Sequence, residues 1–132
     1  VASLMRMANN LERIGDNIEN IAELIEELFE QDLHLAEGGF KDYETISTEA
    51  QRFLEFVVKA IGMEDKDIMP QAEEMEDNIN RMREDMRSNY IMRLQSGTCT
   101  VDPGMIFVDM LTAFEKIGDC TYNIAQAVAG VK

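Results

Sequence analysis

The amino-acid sequence predicts an all-α protein, an antiparallel bundle of about four long helices, and three observations predict it. Apolar residues recur at alternating steps of three and four along most of the chain, the period of a helix that buries one face. No stretch shows the period-two alternation or the β-branched, turn-bounded runs of strands. The connections between the patterned segments are short, and short connections set successive helices side by side in opposite directions.

The first helix is expected from about residue 3 to about residue 34, because Leu4, Met7, Leu11, Ile14, Ile18, Ile21, Ile25 and Leu28 form a heptad-like seam. Gly38 and Gly39 end that segment and open a loop. The second helix is expected from about Asp42 to Ile61, with Ile46, Ala50, Phe53, Leu54, Val57, Val58 and Ile61 as a wide apolar face. The third carries Ile68, Ala72, Met75, Ile79, Met82 and Met86 and reaches about Leu94, with Pro70 near its start, where a missing amide donor costs least. Gln95 to Thr100 reads as a loop, and Asp102 with Pro103 makes an N-cap and first-turn pair. The fourth helix uses Phe107, Met110, Phe114, Ile117, Thr121, Ile124 and Val128.

Composition narrows the function. The 132 residues suffice for one domain with its own core. Twenty-six acidic residues against twelve basic ones give a net charge of −14, which argues against nucleic acid, anionic membrane surfaces and a direct phosphate site. Cys99 and Cys120 form neither a disulfide framework nor a zinc set, which suits a reducing compartment, and with His34 they read as structural. The opening residues lack the basic start and apolar run of a signal peptide. The apolar windows Phe53 to Gly62 and Met105 to Phe114 fall below the ~18 residues of a membrane span. Because Val1 stands in what reads as a helix already under way, the sequence is expected to be part of a longer protein.

An internal repeat carries the chemistry. LERIGDNIENIAE at Leu11 to Glu23 and FEKIGDCTYNIAQ at Phe114 to Gln126 share seven of thirteen residues in register. Each copy holds an acid, three residues and an aspartate: Glu12 with Asp16, and Glu115 with Asp119. Residues four apart on a helix lie roughly 5–6 Å apart on one side, so each pair presents two carboxylates to one point, and a cation would remove their repulsion. Glu12, Asp16, Glu19, Glu23, Glu26 and Glu30 continue as a ridge turned away from the seam. The plain alternative is a solvated acidic face. Each copy also encloses a glycine, Gly15 or Gly118, which costs a helix interior roughly 1 kcal/mol and suits close backbone packing.

Carboxylate oxygens without thiolate or clustered imidazole point to a hard cation, magnesium, manganese, calcium or ferric iron, ahead of zinc. A di-iron bundle would need Glu-x-x-His pairs in its core, and the only histidine, His34, follows Gln31 at that spacing. Six of the ten methionines lie on or near the third helix, Met63 and Met69 at its approach included, and read as core packing rather than an adaptable partner surface. Arg81, Arg83, Arg87 and Arg93 read as a solvated face with a pair such as Asp77 to Arg81.

At these residues the sequence resembles the PhoU family, regulators of bacterial phosphate uptake. The family's Glu-Arg-Ile-Gly-Asp string is matched in full at Glu12-Arg13-Ile14-Gly15-Asp16, and with lysine for arginine at Glu115-Lys116-Ile117-Gly118-Asp119. Asn20-Ile21-Ala22 and Asn123-Ile124-Ala125 are similar to it too. PhoU proteins hold two three-helix repeats with the motif in the last helix of each, so residues 1–132 look like the last helix of repeat one followed by repeat two. The resemblance is nearest to the PhoU-like cytosolic tail of sodium/phosphate cotransporters, which the stretch Ser96 to Asp119 is similar to.

The resemblance implies a non-catalytic, cytoplasmic regulator of phosphate transport or phosphate signalling, free or tethered at the inner face of the membrane. Its implied partners are a phosphate transporter or a phosphate-sensing complex, with self-association left open. Some members of the family bind metal clusters through pairs of these motifs on adjacent helices. The implied ligands here are Glu12, Asp16, Glu115 and Asp119, with Glu76 and Asn80, or Glu73 and Asp77, as partners on the third helix. The competing readings are a free-standing uptake regulator, a helical assembly module without metal, and an enzyme with carboxylate-bound metal. The last lacks histidine ligands, a nucleophile constellation and a glycine-rich phosphate loop.

Overall fold

The computed structural model describes residues 2–97 and 101–131. Four helices account for almost all of them: α1 (Ala2–Glu30), α2 (Glu37–Met63), α3 (Met69–Ser96) and α4 (Val101–Ala129). No strand occurs among the described residues. The protein is an all-α helical bundle.

The hub of the bundle is α4. It touches all three other helices, α2 and α3 touch each other, and α1 touches α4 alone. The sequence explains the choice: α4 is the most apolar of the four and buries fifteen of its 29 residues, Ile106, Phe107, Met110, Leu111, Ile117 and Ile124 among them. Polar α3 buries only Ala72, Ile79, Met86 and Tyr90, the first three seven apart on one stripe. Each fully buried large apolar side chain contributes roughly 1.5–3 kcal/mol, so Phe53 of α2 and Phe107 and Met110 of α4 anchor the three-helix core. The rings of Tyr43 and Phe114 meet there at 5.9 Å between centroids, tilted by 56°.

Helix α1 lies antiparallel along another side of α4. The Arg6 guanidinium donates to the Gln126 side chain at 2.6 Å and to the Val131 carbonyl at 2.8 Å. Further along, Asn123 Nδ2 donates to buried Asn10 Oδ1 at 3.2 Å. The α1 seam therefore splits. Ile14, Ile21 and Leu24 are buried against α4, whereas Leu4, Leu11 and Ile18 of the expected seam are exposed. One neighbouring helix covers only one stripe.

The helix ends differ from the expected ones for local reasons. α1 stops at Glu30 rather than near 34, because Asp32 adopts φ 51° while its N–H bonds the Phe29 carbonyl and that of Leu33 bonds the Leu28 carbonyl. This left-handed closure is usually made by glycine. Glu64 closes α2 the same way, its N–H and that of Asp65 bonding the carbonyls of Ile61 and Ala60. Gly38 and Gly39 do not form a loop. They lie in the first turn of α2, which begins at Glu37, and a Cβ on Gly38 would stand 2.6 Å from Arg93 Nη1. The bare glycine leaves room for that guanidinium to reach Asp42 at 3.5 Å.

Pro70 opens α3 as expected. α3 runs on to Ser96, closed by Gly97 at φ 76°. Asp102 and Pro103 fall inside the first turn of α4, which starts at Val101, so Asp102 is not the cap. Cys99, with Thr98 and Thr100 of the expected loop, lies outside the described residues.

Candidate functional site

The second copy of the repeat sits on α4 where that helix faces α3. Gly118 is buried, and a Cβ built on it would meet Ile79 of α3 at 3.5 Å, an ordinary contact. Around that contact three polar links join the two helices. Glu115 pairs with Arg83, both side chains about one quarter exposed. Asp119 is hydrogen-bonded to the Glu76 side chain. The Tyr122 hydroxyl donates to Glu73 Oε1 at 3.4 Å.

Glu76 is the acid most changed by its surroundings. Burial comes first, followed by the hydrogen bond to Asp119 and the charges of Asp119 and Asp77, and together they push its carboxyl from 4.5 up to about 8. A carboxyl hydrogen-bonded to a second carboxylate ionises at a cost, so Glu76 keeps its proton near neutral pH. Glu76 O–H donates and Asp119 accepts. The Tyr122 hydroxyl is raised as well, by burial and by the charges of Glu73, Glu76 and Asp77. Burial also raises the Cys120 thiol, opposed by the charge of Arg13, which fits an inert structural cysteine.

Apart from Glu115, which Arg83 engages, the expected ligands separate into three groups. Glu76 and Asp119 come together. Glu73, Asp77 and Asn80 line an open groove on α3 beside Arg81. Glu12 and Asp16 are exposed on α1, where no α3-like helix packs, and Gly15 has no neighbour within 4 Å of the place a Cβ would take. Asp16 and Asp119 line one cleft between α1 and α4, together with Arg13, Lys116 and Asn123. Among the described residues no group of three or more His, Cys, Asp or Glu stands close enough to hold a metal ion.

The arginines correct the expectation of a merely solvated face. Asp77 and Arg81 do not pair among the described residues; Arg83 crosses to Glu115 and Arg93 to Asp42. Spacing along one helix cannot reveal a partner on another. The methionines do pack inward, with Met86 buried and Met69, Met75 and Met82 against the core, although Met63 and Met92 are exposed. His34 is exposed in the 31–36 connection, 3.7 Å from Asp32, so it holds no place in the core. The Asn10–Asn123 pair and the Tyr122–Glu73 bond escaped sequence reasoning. Tyr122 carried one signal, since it stands in the repeat where the first copy has Glu19.

The two motif helices, α1 and the central α4, and the α2–α3 hairpin covering the second motif are matched by one family, the PhoU domain, over residues 1–25 and 43–128. The chain belongs to the PhoU family. The internal unmatched stretch of this PhoU domain, residues 26–42, is the end of α1, the connection and the first turns of α2. No curated protein and no solved structure matches the chain. Among the described residues, no helix of the PhoU domain is long and apolar enough to cross a membrane.

Proposed function

We propose that this PhoU domain is a non-catalytic regulator of phosphate transport, the cytosolic regulatory tail of a sodium/phosphate cotransporter that works by docking, assisted by a bound cation. Family membership supports the regulatory role in phosphate transport, and supports a regulator over an enzyme. In this reading residues 1–132 are the last helix of one PhoU repeat followed by a whole second repeat. The observation that carries the cation half is the Glu76–Asp119 pair, two carboxyl groups hydrogen-bonded to each other from facing helices.

The donors present select the kind of cation. Oxygen-only ligands suit a hard ion, and Glu76 with Asp119 supplies two carboxylates whose mutual repulsion a cation would relieve. Glu115 is engaged by Arg83, and Glu12 lies on α1, where it has no α3-like neighbour. The fit is therefore to one hydrated divalent ion, since magnesium-type ions keep several waters and use one or two carboxylates. When bound, the ion supplies positive charge at the α3–α4 seam. The chain's own residues do the rest: Glu76 gives up its proton, while Arg83 holds Glu115 and so keeps the two helices in register.

Calorimetric titration with magnesium and manganese tests this, with phosphate uptake measured in cells carrying the full-length protein. One ion bound per chain with proton release, lost in Asp119→Asn together with regulation, is the expected result. Absence of binding, with regulation intact in Asp119→Asn, would sink the cation half. Unchanged uptake on deleting the domain would sink the regulatory reading itself.

A further inference from the structure

The connection between α1 and α2 borders an apolar cavity of about 460 Å³. Leu28 and Phe29 of α1, Leu33 and Leu35 of the connection and Phe40 of α2 line it, and buried Met110 of α4 reaches it from the core. Its titratable lining groups are Asp32, His34 and Tyr43. That size, and walls of aliphatic and aromatic side chains with few polar groups, are those of a small-molecule pocket. Seven of the ten lining residues fall within residues 26–42, the internal stretch the family model leaves unmatched. The cavity is therefore built mainly where this chain departs from the family pattern.

The opening of the cavity is separate from the bare stripe of α1. On the reading of α1 as the last helix of a preceding repeat, two earlier helices cover Leu4, Leu11 and Ile18, as α2 and α3 cover the register counterparts Phe107, Phe114 and Thr121. The complete repeat shows how far such cover extends. Leu28 corresponds to Val131, which is 43 % exposed although α2 and α3 are both in place. The remaining walls, the connection and the start of α2, follow α1 in the chain and are present.

Charge selects the ligand. From residue 26 to residue 44 seven acids stand against one lysine, Lys41. Lys41 lies 4.0 Å from Glu37, and Asp42 is met by Arg93, which leaves Glu26, Glu27, Glu30, Asp32 and Glu44 in excess. α1 also ends here with no basic residue in its last turn, so the negative end of its dipole adds to Glu27 and Glu30. A carboxylate or phosphate head group is repelled at this rim, and an ammonium is attracted.

We infer that the cavity binds a small amphiphilic cation, an alkyl or aryl body carrying one ammonium group. The body lies among Leu28, Phe29, Leu35 and Phe40, and the ammonium stands at the α1 C-terminus beside Glu30 and Asp32. The inference stands on α1, α2 and their connection and does not depend on a cation at Glu76 and Asp119.

The chain contains no tryptophan, so Phe29→Trp places a single fluorophore on the cavity wall. The probe is dodecylamine below its micelle concentration, titrated into the full chain in chelator and followed by tryptophan emission in that variant and by calorimetry in wild type. The expected result is one molecule bound per chain with a dissociation constant below roughly 100 μM, and a blue shift of the emission. Dodecanoate, which lacks the cation, and butylamine, which lacks the apolar body, bind at least roughly tenfold more weakly. Phe29→Ser with Phe40→Ser weakens dodecylamine binding roughly tenfold or more, and Glu30→Gln with Asp32→Asn weakens it several-fold, by an amount that shrinks with added salt. All four positions are exposed, and asparagine suits the φ of 51° at position 32, so the fold is retained, which circular dichroism verifies. No binding, binding of many molecules without saturation, equal affinity for dodecanoate, an unshifted emission, or indifference to the Phe29 and Phe40 changes overturns the inference.

Discussion

Glutamine at position 76 removes the one strongly raised carboxyl among the described residues while keeping a hydrogen-bond donor for Asp119. In the folded chain the Glu76 carboxyl titrates at about 8, against 4.5 for the ordinary group. The folded state therefore binds more protons than the unfolded state between those values, and stability falls as pH rises through that window. The contribution is most favourable below about pH 4.5 and its loss is complete above about pH 8. Every tenfold change in proton affinity is worth about 1.4 kcal/mol for an isolated buried group, but Glu76 is only half-buried. Solvent screening reduces the effect to on the order of 1–2 kcal/mol. Urea unfolding of wild type and Glu76→Gln in chelator, from pH 5 to pH 9.5, reads it directly. The variant is expected to be closest to wild type near pH 5, where little of the contribution has been lost, and more stable by on the order of 1–2 kcal/mol at pH 9. Two curves that stay parallel across the range would refute the raised Glu76 carboxyl.

Three further substitutions test the packing. Glu64→Gly relieves a non-glycine residue at φ 51° and removes an anion from the α2 C-terminus, so chemical denaturation should show a gain of about 1 kcal/mol. Gly104→Ala would place a Cβ 1.9 Å from Tyr90 Cε1; a loss of about 1–3 kcal/mol is expected, and an unchanged melting temperature would contradict this contact. Gly15→Ala meets nothing within 4 Å and should stabilise α1 by up to about 1 kcal/mol, an outcome opposite to the one expected if the motif glycine served close packing within this chain.

The helices were legible because their cause is local. A three-and-four spacing of apolar residues specifies a helix whatever surrounds it, and all four appeared within a few residues of their expected places. The boundaries were less so, since Asp32 and Glu64 close helices in a conformation that their side chains disfavour, and no composition signal marks that. At the site, the acid-x-x-x-Asp spacing and Glu76 as the facing acid were readable from sequence. That Arg83 neutralises Glu115 was not, because an ion pair between helices depends on rotation and offset that neither segment encodes alone.

By itself the sequence determined four amphipathic helices, a duplicated motif and membership of a family of phosphate regulators. Only the tertiary structure decided that the two copies live in different surroundings. α4 has three neighbours and buries its motif face, whereas α1 has one neighbour and leaves Leu4, Leu11 and Ile18 in water. Burial is a property of what packs against a helix, not of the helix, so one pattern written twice makes a core in one place and an open surface in the other.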